Sequence, residues 1–438
     1  MSKENSPTCF FENEKVSFES YISEFTPKLY EEFDSKANDL GLQSKIDDLF
    51  NGKKVNYTED LAAWHPKYRD EYNPSTLDTP SNKNQQKNLS HLKDSCNAAK
   101  NIITIGIGGS YEGPKMFLEM IESFENANFI FITGSDTSEF KIKTKKLNPK
   151  ETIFLVSSKS FKTEETISIL KDAMSWSGET NKFFAITANK GEAEKYNINN
   201  IIEFDQEIGG RYSIWSEISV LIHCLKKDDY DAFMAGGKQA DFDLKRNEAY
   251  LKFVKNLAYS DIWLHNNKNK NSRSVLSYIW NLRSLPNYIQ QLEMESLGKQ
   301  PSRDSEFKKT GQIIFGGYGP KAQHSYFQLL HQGTQNICVD FIASREDKKN
   351  LAYVQAITQV KLMSQGAEDL KNQEKINANT PTNIFLLNRT TSYELGYLIA
   401  TWEHRTYITA SMLGINPFDQ FGVSAGKIYT KKYLAKKD

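Results

Sequence analysis

The sequence predicts an α/β protein made of two successive doubly wound domains, each built on a parallel sheet. Short apolar runs alternate with longer helical patterns along most of the 438 residues. Several runs end in glycine or serine clusters, as strands do where they turn into a helix. Runs that are apolar on both faces are typical of parallel strands covered by helices on both sides. Because a domain usually holds about 100–200 residues, the length fits two domains with extensions.

Two sets of strands are expected. The first set is Ile102 to Ile107, Phe129 to Ile132, Ile153 to Val156, Phe183 to Ile186 and Ile201 to Phe204. The second set is Val275 to Trp280, Ile313 to Phe315, Ile337 to Ile342 and Ile384 to Leu387. Between and after the strands of the second set, the periodicity predicts helices at Ala322 to Gln332 and Tyr393 to Leu413.

Flanking segments complete the predicted organisation. The apolar spacing from Phe18 to Phe25 indicates a helix, and the Pro-, Ser- and Asn-rich stretch from Asn73 to Asn88 indicates a linker. A helix from Lys226 to Ala258 marks the region of the domain boundary. We therefore expect a helical N-terminal extension and linker at 1–80, a first domain at 81–235, a second domain at 236–415, and a C-terminal helix and tail at 416–438.

The composition excludes several classes of function. Lys plus Arg and Asp plus Glu number 55 each, so no global field attracts nucleic acid or an anionic membrane. The four cysteines are scattered without a C-x-x-C pair, which argues against a zinc or redox site. No apolar run approaches the roughly 20 residues that span a bilayer. The sequence predicts a soluble, cytoplasmic protein without a metal or cofactor, which must capture any anionic ligand through local loops.

Three loops after predicted strands are candidate binding elements, because open α/β sheets bind ligands beyond the carboxyl ends of their strands. The first, residues 106–110, contains Gly109 and ends at Ser110, which can face an anion at a helix start. A tight turn without any ligand explains this loop about equally well. The second, residues 157–166, offers several hydroxyls before a helix and suits a phosphate monoester. Capping of the next helix by Thr163, without any ligand, explains this loop about equally well.

The third loop places Arg211 after two glycines, and a solvated surface arginine is the usual explanation of such a turn. Further on, Gln291 and Glu295 are four residues apart, so they share one face of a predicted helix that ends near Gly298. Taken alone, Glu295 is more often a solvated helix residue than a catalytic base.

Two further pairs have a seven-residue spacing. His324 and His331 would share a face of the predicted helix from Ala322 to Gln332, either as core or interface histidines or as a proton donor. Their spacing does not suit a metal site, which usually has histidines at i and i+4. Gln420 and Lys427 would likewise share a face if their segment is helical.

Taken together, these segments resemble the glucose-6-phosphate isomerase (phosphoglucose isomerase) family, in its compact bacterial form, which is built from two sugar-isomerase (SIS) domains. The matching blocks occur in the family's order. They are IGIGGS at 105–110, SSKSFKTEET at 157–166, GGRYSIWS at 209–216, QQLEMESLGK at 290–299, AQHSYFQLLHQGT at 322–334 and NPFDQFGVSAGK at 416–427.

The resemblance implies an aldose–ketose isomerase that interconverts glucose 6-phosphate and fructose 6-phosphate through ring opening and an enediolate. It implies that Glu295 is the base, that His324 and Lys427 assist ring opening, and that Arg211 stabilises the charged intermediate. The implied substrate-binding residues are Gly109, Ser110, Ser158, Lys159 through its backbone, Ser160, Thr163, Gln291 and Gln420. It also implies a homodimer in which the histidine reaches the partner's site.

Two departures from the family pattern concern the site. Lys162 stands where the family commonly has a threonine, so this side chain either points outward or adds charge to the phosphate site. Residues 319–322 replace the usual Gly-Thr-Asn-Gly before His324. A non-catalytic sugar-phosphate sensor is the alternative function, but it predicts loss of the base or the cation. A glucosamine 6-phosphate-forming amidotransferase is a second alternative, and serine at residue 2, where that enzyme needs a nucleophilic cysteine, argues against it.

Overall fold

The computed structural model describes residues 6–74, 85–121 and 127–434. In chain order, the strands of these residues are β1 (Cys9–Glu12), β2 (Val16–Tyr21), β3 (Asn101–Ile105), β4 (Asn128–Ile132), β5 (Thr152–Ser157), β6 (Phe183–Thr187), β7 (Asn200–Glu203), β8 (Ser272–Ser277), β9 (Ile313–Tyr318), β10 (Ile337–Ser344) and β11 (Thr382–Leu387). All nine predicted strands are present, and their ends lie within three residues of the predicted ends.

The helices, again in chain order, are α1 (Pro27–Asp39), α2 (Leu42–Phe50), α3 (His65–Glu71), α4 (Gln86–Ala98), α5 (Glu112–Ile121), α6 (Thr137–Thr144), α7 (Glu164–Ser177), α8 (Lys190–Glu194), α9 (Val220–Leu225), α10 (Lys227–Arg246), α11 (Glu248–Asn267), α12 (Leu285–Leu297), α13 (Gly319–Gln323), α14 (Phe327–Gln332), α15 (Leu351–Gln365), α16 (Ser392–Leu413) and α17 (Ser424–Leu434). No helix among the described residues is long and apolar enough to cross a membrane.

The strands form two sheets, as predicted. The first sheet has the order β4-β3-β5-β6-β7 and is parallel throughout. Every residue of β3, β5 and β6 is buried, which explains why these strands read as continuous apolar runs. The second sheet has the order β1-β2-β11-β10-β8-β9, and its last four strands are parallel. The α/β class with two parallel-stranded units is therefore confirmed, while the domain boundaries stay a prediction.

The N-terminal segment corrects the sequence analysis. The predicted helix from Phe18 to Phe25 is wrong, because β2 occupies its first half and pairs antiparallel with β11. Val16 and Phe18 are fully buried on one face of the strand, and the Phe18 ring lies 5.1 Å from that of Phe385. The alternation of Val16, Phe18 and Ser20 is the strand signal, while the spacing of Phe18 and Phe25 fits a helix equally well.

The predicted linker and the predicted helix that would hold both histidines are two further segments to compare with the structure. Residues 75–84 of the predicted linker lie outside the described residues, and α4 begins within its last part, at Gln86. The single helix predicted from Ala322 to Gln332 is wrong, because the chain forms α13 and α14 with a break at residues 324–326. The break lets Ala322, Phe327 and Leu330 all pack into the core of the second sheet. His324 and His331 therefore do not share a helix face.

The two sheets are joined by a helical layer. Helix α16 is buried over nearly its whole length and crosses α10 in close contact. A Cβ on Gly236 would lie 1.9 Å from the carbonyl oxygen of Tyr393, and one on Gly396 would lie 2.0 Å from that of Phe233. Both positions require glycine because the two backbones touch there. This packing fixes the second half of the chain against the region that follows the first sheet.

Candidate active site

A cavity of about 610 Å³ lies at the carboxyl ends of β3 and β5. Strand order reverses between these two strands, so the cavity occupies the topological switch point of the first sheet. Eleven of the twelve predicted site residues line it, namely Gly109, Ser110, Ser158, Lys159, Ser160, Thr163, Arg211, Gln291, Glu295, Gln420 and Lys427. These residues come from both halves of the chain, so the fold assembles the predicted constellation except for His324.

The loop after β3 allows a close backbone approach. Gly108 has φ +59°, a left-handed conformation that favours glycine. A Cβ on Gly109 would lie 1.9 Å from the carbonyl oxygen of Gly210, so this loop packs directly on the turn that carries Arg211. The glycines of the block at 105–110 therefore hold two loops of the cavity together.

The loop after β5 presents hydroxyls and a helix start to the same cavity. The Ser158 and Thr163 hydroxyl oxygens lie 3.2 Å apart, and the backbone turns sharply at Phe161 with φ +50°. Thr163 is the N-cap residue of α7, but its side chain makes no capping hydrogen bond. The first N–H groups of α7 thus have no side-chain cap and could meet an anion. Capping by the Thr163 side chain is therefore not seen, while anion binding by this loop stays a prediction.

The two lysines of this loop have different environments. The Lys159 side chain lines the cavity, and burial is the main cause that lowers the pKa of its ammonium. Its ammonium also interacts electrostatically with Glu59 and Arg211, which line the same cavity. The Lys162 amino group lies 3.1 Å from a carboxylate oxygen of Glu192 and is not part of the cavity lining. Lys162 therefore points outward.

Arg211 is a buried cation with a fixed orientation, since its side chain is only 1% exposed. Its Nε donates to the Ser296 hydroxyl at 2.8 Å, and its Nη1 donates to Gln420 Oε1 at 2.8 Å. Nη2 donates to the carbonyl oxygens of Pro417 and Asp419. The surface-turn explanation of Arg211 is wrong, because four protein acceptors hold the guanidinium in place.

Glu295 lies in the last turn of α12 and faces Arg211. Its Oε2 is 3.4 Å from Arg211 Nη1 and accepts a hydrogen bond from Gln291 Nε2 at 3.1 Å. The Glu295 side chain is 27% exposed, so it is open to the cavity. The shared face of Gln291 and Glu295 is confirmed.

Glu293, two residues earlier, points the other way and is buried. It contacts Arg273 and accepts a hydrogen bond from Trp402 Nε1 at 2.6 Å, while burial raises the pKa of its carboxyl. Only the second carboxylate of this motif can meet a ligand in the cavity.

The C-terminal residues reach the cavity without sharing a helix. Gln420 precedes a short 3-10 turn, and α17 begins only at Ser424. The condition for a shared face of Gln420 and Lys427, one helix through both, is therefore not met, although both residues line the cavity. Helix α17 is exposed along its described length, and Lys431 lies 3.4 Å from Glu164 at the start of α7.

His324 is exposed and does not line the cavity of its own chain. It sits beside α14 and α15, which are linked by a 2.8 Å hydrogen bond between His331 and Gln359. The structure therefore does not bring this histidine to the other predicted site residues of its own chain.

Sequence reasoning missed several polar residues of the cavity, namely Glu59, Glu165, Thr166, Asn189 and Gln206. Glu165 and Thr166 belong to the block at 157–166, whose helical period could have placed them near Thr163. Glu59 comes from the N-terminal region and carries no motif. The cavity lining thus has three acidic residues, Glu59, Glu165 and Glu295, and three basic ones, Lys159, Arg211 and Lys427.

A family model described as "Phosphoglucose isomerase" matches residues 23–438. A protein named glucose-6-phosphate isomerase from Legionella pneumophila (strain Paris) is 32% identical over 416 residues, covering 89% of this chain and 83% of the relative. A protein of the same name from Helicobacter pylori (strain Shi470) is 31% identical over 484 residues, covering 97% and 88%. A crystal structure of a glucose-6-phosphate isomerase from Chlamydia trachomatis shares the fold with a TM-score of 0.86 at 20% identity, covering 98% and 90%.

Proposed function

Because the chain belongs to the phosphoglucose isomerase family, we propose that it is an aldose–ketose isomerase that interconverts glucose 6-phosphate and fructose 6-phosphate. The observation that carries the proposal is that one cavity holds both an anion-binding loop and a carboxylate facing a fixed arginine. The hydroxyls of Ser158, Ser160 and Thr163, with Ser110, suit the phosphate. Glu295 and Arg211 suit proton transfer next to a carbonyl.

The first chemical step is ring opening. His324, assisted by Lys427, would protonate the ring oxygen while the anomeric hydroxyl loses its proton, which exposes the C1 aldehyde. The C2 proton then becomes acidic, because the electron pair left by its removal is delocalised onto the C1 oxygen. The phosphate loop contributes by holding C1 and C2 near the carboxylate, which replaces a random encounter with a fixed geometry.

Isomerisation follows when Glu295 moves one carbon-bound proton from C2 to C1. Glu295 removes the C2 proton, and the C2–H electron pair forms the C1=C2 bond of an enediolate. Arg211 offsets the charge on the oxygen with little reorganisation, because its hydrogen bonds to Ser296 and Gln420 already fix it. Glu295 then returns the proton to C1, the hydroxyl proton moves from O2 to O1, and the ketose forms. These reaction steps use only the polarity of the substrate carbonyl and the side chains named here.

We also propose that the enzyme is a homodimer with shared active sites. His324 is exposed, and apolar side chains of the adjacent helices are exposed beside it, with Leu351 69%, Val354 45% and Leu329 40% exposed. A second copy covering this face would bury apolar area and could carry His324 into its partner's cavity. A cytoplasmic location is part of the proposal and fits four free cysteines, since thiols stay reduced there.

One experiment tests both proposals. Glu295→Gln and His324→Ala, assayed separately by coupling fructose 6-phosphate turnover to glucose 6-phosphate oxidation, should each lose at least about 100-fold in kcat. The Glu295→Gln variant should keep the KM of the wild type. Mixing the two after reversible dissociation should restore about a quarter of wild-type activity, because random pairing gives each hybrid dimer one intact site.

The outcomes separate the claims. Wild-type protein that binds sugar phosphate without turnover would support the sensor alternative. Glu295→Gln with most of its activity would exclude Glu295 as the base. Two inactive variants that do not complement each other, although hybrid dimers form, would refute the shared site alone.

A further inference from the structure

Lys299 follows the glycine that ends α12, and its ammonium is held by several acceptors. Its Nζ donates to the carbonyl oxygens of Glu295 at 3.3 Å, Ser296 at 2.9 Å and Asn416 at 2.6 Å. Nζ also lies 3.4 Å from Asp419 Oδ1, and the Lys299 side chain is only 17% exposed. The lysine therefore joins the last turn of the helix that carries the base to residues 416–420.

Elementary helix chemistry explains this arrangement. The last carbonyls of a helix lack partners within the helix, and its C-terminus carries partial negative charge. A cation there satisfies the carbonyls and offsets the charge. An ammonium has three N–H donors, and here more acceptors than that surround it. Each donor of Lys299 is therefore committed to the junction between α12 and residues 416–420.

Arg211 spans the same junction from the cavity side. It donates to the Ser296 hydroxyl on α12, and to the Asp419 carbonyl and the Gln420 side chain on residues 416–420. Residues 416–420 are in turn anchored by the N-terminal region, since the Thr58 hydroxyl donates to Asp419 at 2.7 Å. Two cations thus bridge one gap, but only Arg211 faces the cavity.

We propose that Lys299 is a positioning residue for the isomerisation. It fixes the last turn of α12 against residues 416–420, and through them it sets where the Glu295 carboxylate stands relative to Arg211 and Gln420. Lys299 does not line the cavity, so it acts through these residues and not on the substrate. The inference rests on the proposed isomerase function.

The protonation state of Lys299 gives the proposal a distinctive readout. Burial and the neighbouring Arg211 lower its pKa to about 8, while Asp419 and Glu295 act in the opposite direction. Below this pH the lysine is an ammonium and holds all its partners. Above it, a neutral amine has one N–H fewer and no charge, so it must release an acceptor. Part of the alkaline loss of kcat should therefore come from Lys299.

The test is Lys299→Met, which keeps the length of the side chain and removes its donors and charge. We expect kcat to fall about 10- to 100-fold, because small misplacements of a catalytic group are costly. The KM for fructose 6-phosphate should change less than about threefold, since Lys299 contacts none of the phosphate-loop residues. The matched control is Lys162→Met, which removes a lysine that points away from the cavity and should leave kcat and its pH profile unchanged.

The pH profile separates positioning from mere stabilisation. The wild-type decline of kcat near pH 8 should be absent in Lys299→Met. Asp419→Asn should move that decline to lower pH, because it removes the carboxylate that favours the ammonium, and this variant serves if Lys299→Met does not fold. Two results with an active wild type would overturn the inference. One is a kcat of Lys299→Met within twofold of the wild-type value. The other is an alkaline decline of kcat in Asp419→Asn at the same pH as in the wild type. An inactive wild type would instead refute the proposed function.

Discussion

Substituting Gly109 by alanine should damage the site through a backbone contact. The new Cβ would lie 1.9 Å from the Gly210 carbonyl oxygen and 3.0 Å from the Arg211 nitrogen. The gap must widen by about 1.5 Å to reach an ordinary van der Waals contact, and backbone atoms on both sides cannot turn aside. A shift of about 1 Å between reacting groups costs about 100-fold in rate, or roughly 2.7 kcal/mol.

The measurement is kcat/KM for fructose 6-phosphate in the coupled assay, with Tm recorded for each variant. Gly109→Ala should lose at least about 100-fold in kcat/KM, with a stability loss of about 1–3 kcal/mol from overpacking. Gly191→Ala is the matched control, because its Cβ meets nothing within 4 Å and its position in α8 is outside the cavity lining. If Gly109→Ala stays within threefold of the wild type, the two loops are not held by this contact.

Two further substitutions test other parts of the molecule. Lys162→Thr should leave the KM for fructose 6-phosphate unchanged, because Lys162 pairs with Glu192 outside the cavity; a rise of tenfold or more would place its charge at the phosphate. For His223, burial lowers the pKa to about 4, so folding favours the neutral ring and the stability it provides is lost as the pH falls from about 6.5 to 4. In urea titrations, His223→Phe should lose about 3 kcal/mol less unfolding free energy than the wild type over that pH range. The same dependence of unfolding free energy on pH in both proteins would contradict this.

The parallel strands were predictable because burial on both faces leaves a continuous apolar run. Helix α16 was equally predictable, since the helical pattern from Tyr393 to Leu413 corresponds to one uninterrupted helix in the structure. The N-terminal hairpin was not, because Phe18 fits a strand or a helix until its partner strand is known. That partner, β11, lies more than 360 residues away in the sequence, and local periodicity carries no information about it.

Local sequence patterns could also predict only some of the residues that line the cavity. Residues inside the loops after β3 and β5 could be named, because the fold class sends those loops to one edge of the sheet. Glu59 could not be predicted from the sequence, since its place in the cavity depends on how the N-terminal region packs. His324 stays a prediction, because it lies outside the cavity of its own chain and the helix predicted to carry it breaks at that position.

The two carboxylates of α12 have different environments, and only Glu295, the proposed base, faces the cavity. Glu293 is fixed on the buried side by Arg273 and Trp402, so the helix cannot rotate without breaking a buried charge pair. Glu295 is fixed on the cavity side by Arg211 and Gln291. A helix that is held on both faces presents its exposed carboxylate in a single orientation, and this costs no reorganisation when the proton moves. The position of Glu295 is therefore set by the packing of α12 on both faces and not by its own helical turn alone.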